Sequence, residues 1–181
     1  MSGEDDLGGG MDVALGSAGL TTVGALDEDT IGERLRALGI ILPEPAAPVA
    51  SYVAAVEAAG MLYVSGQLPF IEGKLVTGRL GENVALEMGV AAARACGIMI
   101  LAQAKAALGS LARIERVVKL GAFVSSTGDF TDQPKVANGA SELMQAVLGE
   151  AGRHSRSAVG VPVLPLGAAV EIDAILKVSP R

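Results

Sequence analysis

The sequence has few of the residues from which covalent and metal-based sites are usually built. Its 181 residues include one Cys, one His and no Trp, and aromatic residues make up only 3%. A single cysteine excludes an internal disulfide framework and a cysteine-rich zinc site, and a single histidine excludes a multi-histidine metal site. The chain also lacks a Walker loop, a GxGxxG after a predicted strand and a GxSxG elbow. We therefore expect a protein without a metal or a cofactor.

Positive charge is also scarce. Fourteen Lys and Arg stand against twenty Asp and Glu, which gives a net charge of −6, and no basic run could follow a phosphate backbone. The N-terminus is acidic where a secretory signal would be basic, and no apolar stretch reaches ~18 residues without a charge. We expect a cytoplasmic protein that binds neither nucleic acid nor membrane.

Apolar residues, in contrast, are abundant. Half of the chain is hydrophobic and its mean hydropathy is +0.47, which exceeds what a monomer of this size needs for its core. Surplus apolar surface usually means subunit contact. Residues 1–27 are rich in Gly, Ser, Asp and Glu and are predicted to be a mobile arm, in which Met11 is an alternative start. Residues 28–181 are predicted to be one domain.

The hydrophobic pattern predicts an α+β domain. Thr30 and Glu33 match a capping box that would open a short helix ending at Gly39. Two apolar runs, around Tyr52–Val56 and Met61–Val64, favour paired strands. Later segments predict a strand at 74–76, a helix at 82–108, a strand at 114–125, a helix at 131–149 and strands at 156–163 and 169–178. The order favours a two-layer fold, with helices on one face of a mixed sheet.

Two strands near the C-terminus carry the candidate polar residues. Arg156 stands among small residues, which leaves room for its guanidinium to grip a carboxylate at two points. In VEIDAI, Val170 and Ile172 face one side of the strand while Glu171 and Asp173 face the other. An acidic pair usually marks a solvent face, but if another subunit covers that face, Glu171 could orient or deprotonate a water. Cys96 is predicted to be a buried inert thiol, and His154 a solvated surface imidazole.

Two segments together indicate a family. The segments SGQLP, residues 65–69, and RSAVGVPVLPLGAAVEIDAI, residues 156–175, resemble the RidA/YjgF family of reactive intermediate deaminases in order and spacing. The likeness spans roughly residues 48–178, so the arm and the first helix lie outside it. It implies a chorismate-mutase-like fold, and a homotrimer whose sheets form a barrel with three clefts between subunits. The implied activity is hydrolysis of 2-imino or 2-enamino acids to 2-keto acids and ammonia.

The resemblance also implies roles for individual residues. Arg156 falls on the arginine that binds the substrate carboxylate, and Glu171 on the glutamate that positions the attacking water. The implied pocket positions are Tyr52, which would complete the cleft of a neighbouring subunit, and Ser65, Gly66, Asn138 and Ala158. Many deaminases have Cys where this chain has Ala158. Its thiol is therefore missing, although the backbone there can still hold a water or a ligand.

Several other interpretations remain open at this stage. The same cleft could bind a small carboxylate metabolite without hydrolysing it. A chorismate-mutase-like isomerase shares the fold, but fold does not fix function, and RNA cleavage fits poorly with the net charge of −6. Among single residues, Ser65 and Gly66 could simply end a strand in a tight turn and Asn138 could start a helix. Tyr52 could be ordinary interface packing, and Arg156 could be an ion-pair partner of Glu171 across the trimer.

Overall fold

A computed structural model describes residues 26–45 and 52–180, and the rest of the predicted arm lies outside these ranges. Three α-helices and seven strands follow each other along the described chain. In order, they are α1 (Glu28–Ala37), β1 (Ala55–Ala58), β2 (Met61–Gln67), β3 (Phe70–Ile71), β4 (Lys74–Leu75), α2 (Leu86–Leu108), β5 (Ile114–Ser125), α3 (Gln133–Leu148), β6 (Ser155–Val161) and β7 (Val170–Val178).

The strands form one mixed sheet and one separate hairpin. The main sheet has the order β1-β2-β7-β5-β6, and every pairing in it is antiparallel except β5 with β6. Helices α2 and α3 pack against each other and cover one face of this sheet, which confirms the predicted two-layer α+β fold. The predicted strand at 74–76 is not part of this sheet, because Lys74–Leu75 pairs with Phe70–Ile71 in a hairpin of its own.

The core lies between the helices and the sheet. Small side chains of α2, such as Ala93 and Ala104, are buried there together with Ile100 and Leu101. Gly139 of α3 sits against the backbone carbonyl of Val90, where a Cβ would overlap it. The alanine-rich and glycine-containing faces therefore let the two helices approach closely.

Two helices begin at other residues than the sequence pattern predicts. The N-cap of α1 is Asp27, whose carboxylate accepts hydrogen bonds from the backbone N–H and the hydroxyl of Thr30. The predicted capping box of Thr30 and Glu33 is therefore wrong by three residues. Helix α2 begins at Leu86 and not near residue 82, since Asn83 accepts from the N–H of Arg79 and closes a turn there.

Helix α2 is also long and apolar enough, by length and composition, to cross a membrane. Half of its most apolar window is buried within the domain, and one face of the helix lies on the sheet. This is the environment of a core helix.

Candidate functional site

All predicted site residues except Tyr52 fall into two groups that lie on opposite sides of the main sheet. In the parallel register of β5 and β6, Arg156 stands beside Leu120 and Ala158 beside Ala122, so both point toward the helix layer. Glu171 stands beside Phe123 on the face that no helix covers. Within one chain, Arg156 and Glu171 therefore do not meet, and no ion pair joins them in the described chain.

The first group, the arginine half-site, consists of Arg156, Asn138, Ser141, His154 and Ala158. Arg156 Nη1 donates to Asn138 Oδ1 and to Ser141 Oγ, each at 2.9 Å. Nη2 donates to the carbonyl of Pro134 at 3.1 Å. β6 is an edge strand in the described chain, so this guanidinium sits at the rim of the sheet, half-buried against α3. The open space predicted around it is partly taken by the helix.

His154 belongs to this half-site, which corrects its interpretation as a solvated surface imidazole. Its Nε2 lies 3.0 Å from Ser141 Oγ and its Nδ1 2.5 Å from the carbonyl oxygen of Gly152. Burial lowers the pKa of His154, the Arg156 charge lowers it further, and the Gly152 carbonyl acts in the opposite direction. These surroundings therefore favour the neutral imidazole.

The second group, the glutamate half-site, consists of Glu171, Asp173, Ser65, Gly66 and Gly121. A bulge in β2 sets both Ser65 and Gly66 opposite Asp173. A Cβ at Gly66 would overlap the carboxylate of Glu171, and one at Gly121 would overlap that of Asp173. Each carboxylate thus lies over a glycine. The two glycines are needed for space, and Ser65 and Gly66 do not end the strand in a tight turn.

The glutamate half-site has the electrostatics of a base. Burial raises the pKa of Glu171, and the like charge of the neighbouring Asp173 raises it further. A carboxylate with a raised pKa takes a proton more readily than an ordinary glutamate does. This side chain can therefore accept a proton from a water molecule.

Tyr52 lies apart from both half-sites within one chain. It precedes β1 and is not in it, and its side chain is 58% exposed. The segment that carries it is tied to β2, because Ser65 donates from its backbone N–H to Ala54 and from its hydroxyl to Val53. Tyr52 is thus held at the surface without a place in its own chain's core.

Asn138 is not a helix-start residue, since α3 begins five residues earlier at Gln133. The sequence interpretation missed Ser141 and dismissed His154. A usable signal was present, because Pro134, Asn138 and Ser141 follow one another at spacings of four and three along α3 and so share one helix face.

Two concave regions lie among the described residues. A cavity of about 410 Å³ lies near the end of β6 and the start of α3, and it is lined by Gly160, Gln133, Ser126 and Arg79 among others. A larger groove of about 710 Å³ between α2 and the β3–β4 hairpin holds none of the predicted site residues. Among the residues at 26–45 and 52–180, no three Asp, Glu, His or Cys side chains are grouped closely enough to hold a metal ion.

Cys96 is fully buried in α2, where burial raises the pKa of its thiol, and this confirms a structural role.

Comparison with known proteins agrees with this geometry. The YjgF/chorismate-mutase-like endoribonuclease family matches residues 32–175. Protein TCP17 of Trypanosoma cruzi is 50% identical over 151 residues, which cover 82% of this chain and 94% of that protein.

Solved structures are similar as well. The protein Atu1372 of Agrobacterium tumefaciens, whose function is unknown, is 49% identical with a TM-score of 0.79, over 84% of this chain and 94% of that one. RidA of an Antarctic Psychrobacter is 32% identical with a TM-score of 0.53, over 75% and 94% of the two chains. The chain therefore belongs to the RidA/YjgF family.

Proposed function

We propose that this protein is a homotrimeric hydrolase that converts 2-imino and 2-enamino acids to 2-keto acids and ammonia between its subunits. The observation that carries the proposal is the separation of the two half-sites by the sheet of a single chain. A guanidinium that suits a carboxylate and a carboxylate that suits a water lie on opposite faces. One site containing both needs two copies of the chain.

The uncovered face of the sheet supports such an assembly. Val56, Tyr63 and Val159 on this face are 45–48% exposed, and half-buried Phe123 and Ile175 lie between them. An apolar sheet face of this kind is normally covered by other apolar surface. In a cyclic trimer each chain would offer its arginine half-site to one neighbour and its glutamate half-site to the other.

The substrate carboxylate would bind to Arg156. Asn138, Ser141 and Pro134 accept three of the five guanidinium N–H groups, and no acceptor in the described chain takes the Nε–H. A charge-assisted bidentate hold on a carboxylate places the neighbouring C2 carbon at a fixed position. The exposed Tyr52 of an adjacent chain could close this cleft from the side.

Glu171 would supply the proton transfers. Its carboxylate takes a proton from water while the water oxygen bonds to C2 and the imine π electrons move to nitrogen, and Glu171 then gives that proton to the nitrogen, which completes the carbinolamine. The hydroxyl proton of the carbinolamine passes through Glu171 to the nitrogen, the C–N bond breaks as the C=O bond forms, ammonia leaves, and a 2-keto acid remains. These steps need no metal, cofactor or thiol, so Ala158 in place of the family cysteine is compatible with turnover.

The second candidate function is carboxylate binding without hydrolysis. Ala158 favours it, because this chain lacks the thiol that many deaminases have at that position. Both candidates use Arg156, and they differ only in whether ammonia is released.

The test measures ammonia and keto-acid release from freshly generated 2-iminopropionate. We expect wild type to hydrolyse the imine faster than Arg156→Ala, which should approach the buffer rate. Arg153→Ala is the matched control, since Arg153 is an exposed neighbour whose ion pair is with Glu150. Equal rates for wild type and Arg156→Ala, with both folded, would contradict the proposal.

Two added measurements separate the other functions. Saturable binding of pyruvate without ammonia release would favour the binding protein. Cleavage of labelled RNA that survives Arg156→Ala would favour the activity named in the family description.

A further inference from the structure

The guanidinium of Arg156 is the first member of a chain of hydrogen bonds that continues through Ser141 and His154 to Gly152. The distances along it are 2.9 Å from Nη1 to Ser141 Oγ, 3.0 Å from Oγ to His154 Nε2, and 2.5 Å from Nδ1 to the Gly152 carbonyl. None of these side chains other than Arg156 takes part in the reaction described above.

The direction of each bond follows from elementary chemistry. A carbonyl oxygen only accepts, so Nδ1 of His154 carries the proton. In a neutral imidazole Nε2 then accepts, and the donor to it is the Ser141 hydroxyl. The Ser141 oxygen keeps its lone pairs for Arg156, which can only donate. Each bond in the chain thus has one donor and one acceptor, and the donors follow one another from Arg156 through Ser141 to His154.

A protonated His154 would not fit this arrangement. The Ser141 hydroxyl proton would lose its acceptor on Nε2, and a second positive charge would stand beside the guanidinium. The lowered pKa of His154 agrees with a neutral ring.

The chain of bonds determines which edge of the guanidinium faces outward. Nη1 donates its two N–H groups to Asn138 and Ser141, and Nη2 donates one N–H group to the carbonyl of Pro134. The Nε–H and the second Nη2–H have no acceptor in the described chain, and in a planar guanidinium the Nε–H and one Nη2–H lie parallel on one edge. Two parallel N–H groups are the arrangement that binds a carboxylate at both oxygens.

We propose that Ser141 and His154 are positioning residues, which hold the Arg156 guanidinium so that its Nε–H and Nη2–H edge meets the substrate carboxylate. The proposal rests on the proposed function only in taking that carboxylate to be the one of a 2-imino or 2-keto acid. Asn138 fixes the same Nη1 group from α3, so loss of Ser141 or His154 loosens the guanidinium without freeing it.

Two pairs of variants test the role. Ser141→Ala removes the hydroxyl and Ser141→Thr keeps it. His154→Asn keeps a donor to Gly152 but loses the acceptor for Ser141, whereas His154→Gln supplies an acceptor near the position of Nε2.

We expect Ser141→Ala and His154→Asn each to raise the KM for 2-iminopropionate about fivefold, with kcat changed less than about twofold. Ser141→Thr and His154→Gln should stay near wild type. The double variant Ser141→Ala/His154→Asn should be no worse than either single one, because both act through one chain of bonds. Unchanged KM in the single variants, or full additivity in the double one, would overturn the proposal.

A measurement that does not depend on turnover accompanies these kinetics. His154 is the one histidine of the chain, so its ring nitrogens can be assigned by NMR without ambiguity. We expect a neutral ring with the proton on Nδ1 at pH 7.5, and a shifted Nε2 resonance in Ser141→Ala. A proton on Nε2 would overturn the proposal.

Binding of pyruvate separates failure of this inference from failure of the proposed function. If wild type binds pyruvate about fivefold more tightly than Ser141→Ala but releases no ammonia from the imine, the positioning role holds and the hydrolase proposal fails. If hydrolysis depends on Arg156 but not on Ser141 or His154, the hydrolase proposal holds and the positioning role fails. If wild type neither binds pyruvate nor hydrolyses the imine, both fail.

Discussion

The two half-sites are built by different physical means. The arginine half-site is held by hydrogen bonds that Arg156 donates to residues of α3 and by the hydrogen bond between Ser141 and His154, which lies in the loop before β6. The glutamate half-site is held by shape, since Glu171 and Asp173 lie over glycines that leave room for them. The first is organised within one chain, whereas the second faces the uncovered side of the sheet.

This difference shows what assembly would contribute. Covering Glu171 would remove more water from a carboxylate whose pKa burial already raises. The arginine half-site would gain little in order from a neighbour, because its donors are already directed. Substitutions in the glutamate half-site should therefore affect chemistry, and those in the arginine half-site should affect binding.

The largest effect is expected for Glu171→Gln. Loss of the proton acceptor should lower kcat about 10²- to 10⁴-fold in imine hydrolysis. Because the fold raises the pKa of Glu171, the ionised form destabilises the folded state, so the neutral glutamine should not lower the unfolding free energy at pH 7. Imine hydrolysis gives kcat, and denaturant unfolding gives the unfolding free energy. A kcat near that of wild type, or a marked loss of stability, would contradict the account.

The next effect is expected for Gly66→Ala. The added Cβ would overlap the Glu171 carboxylate and displace it, so we expect kcat to fall about tenfold or more with KM nearly unchanged. Gly128→Ala is the matched control, because a Cβ at Gly128 meets nothing within 4 Å. Equal activity of the two variants in steady-state assays would mean that the position of Glu171 does not matter.

A smaller effect is expected for Asp173→Asn, which should shift the pH dependence of kcat/KM in one direction. The Asp173 charge adds to burial in raising the pKa of Glu171, so its removal lowers that pKa. The base form of Glu171 would then persist to lower pH, and the acidic limb of the kcat/KM profile should move to lower pH. A limb that stays in place or moves upward would show that Glu171 is not the titrating base.

The smallest effect concerns α1, outside both half-sites. Asp27→Ala should lower the unfolding free energy measurably, because it removes the N-cap of the helix. Glu33→Ala, at the other residue of the predicted capping box, should change it by less than about 0.5 kcal/mol. Both variants should hydrolyse imines at the wild-type rate. Thermal or denaturant unfolding gives the first comparison, and a reversed order would contradict the observed cap.

Much of the fold could be predicted from hydrophobic periodicity. The prediction for β5 at 114–125 agrees with the observed strand, and α2, α3, β6 and β7 lie within a few residues of their predicted bounds. Helix starts were predicted less well, because several side chains near Thr30 and near residue 82 could cap. In the structure, Asp27 caps α1, and a turn closed by Asn83 precedes α2.

The candidate site, like the fold, could be predicted from the sequence only in part. Alternation along β7 correctly placed Glu171 and Asp173 on the face away from the core. The side of the sheet on which Arg156 lies could not be read from β6 alone, because an edge strand of small residues has no clear apolar face. The contacts of His154 depend on where α3 packs against β6. This packing is a property of the tertiary structure and cannot be read from the local sequence.

The most direct test of the central claim, that one site combines half-sites from two chains, is complementation between two inactive variants. Arg156→Ala and Glu171→Gln chains are co-expressed with different tags, and mixed trimers are purified through both. Each mixed ring contains one cleft with both intact residues, so the account predicts about one third of wild-type imine hydrolysis. If Arg156 and Glu171 of the same chain formed the site, no cleft would be intact, and mixed trimers as inactive as the two parents would contradict the account.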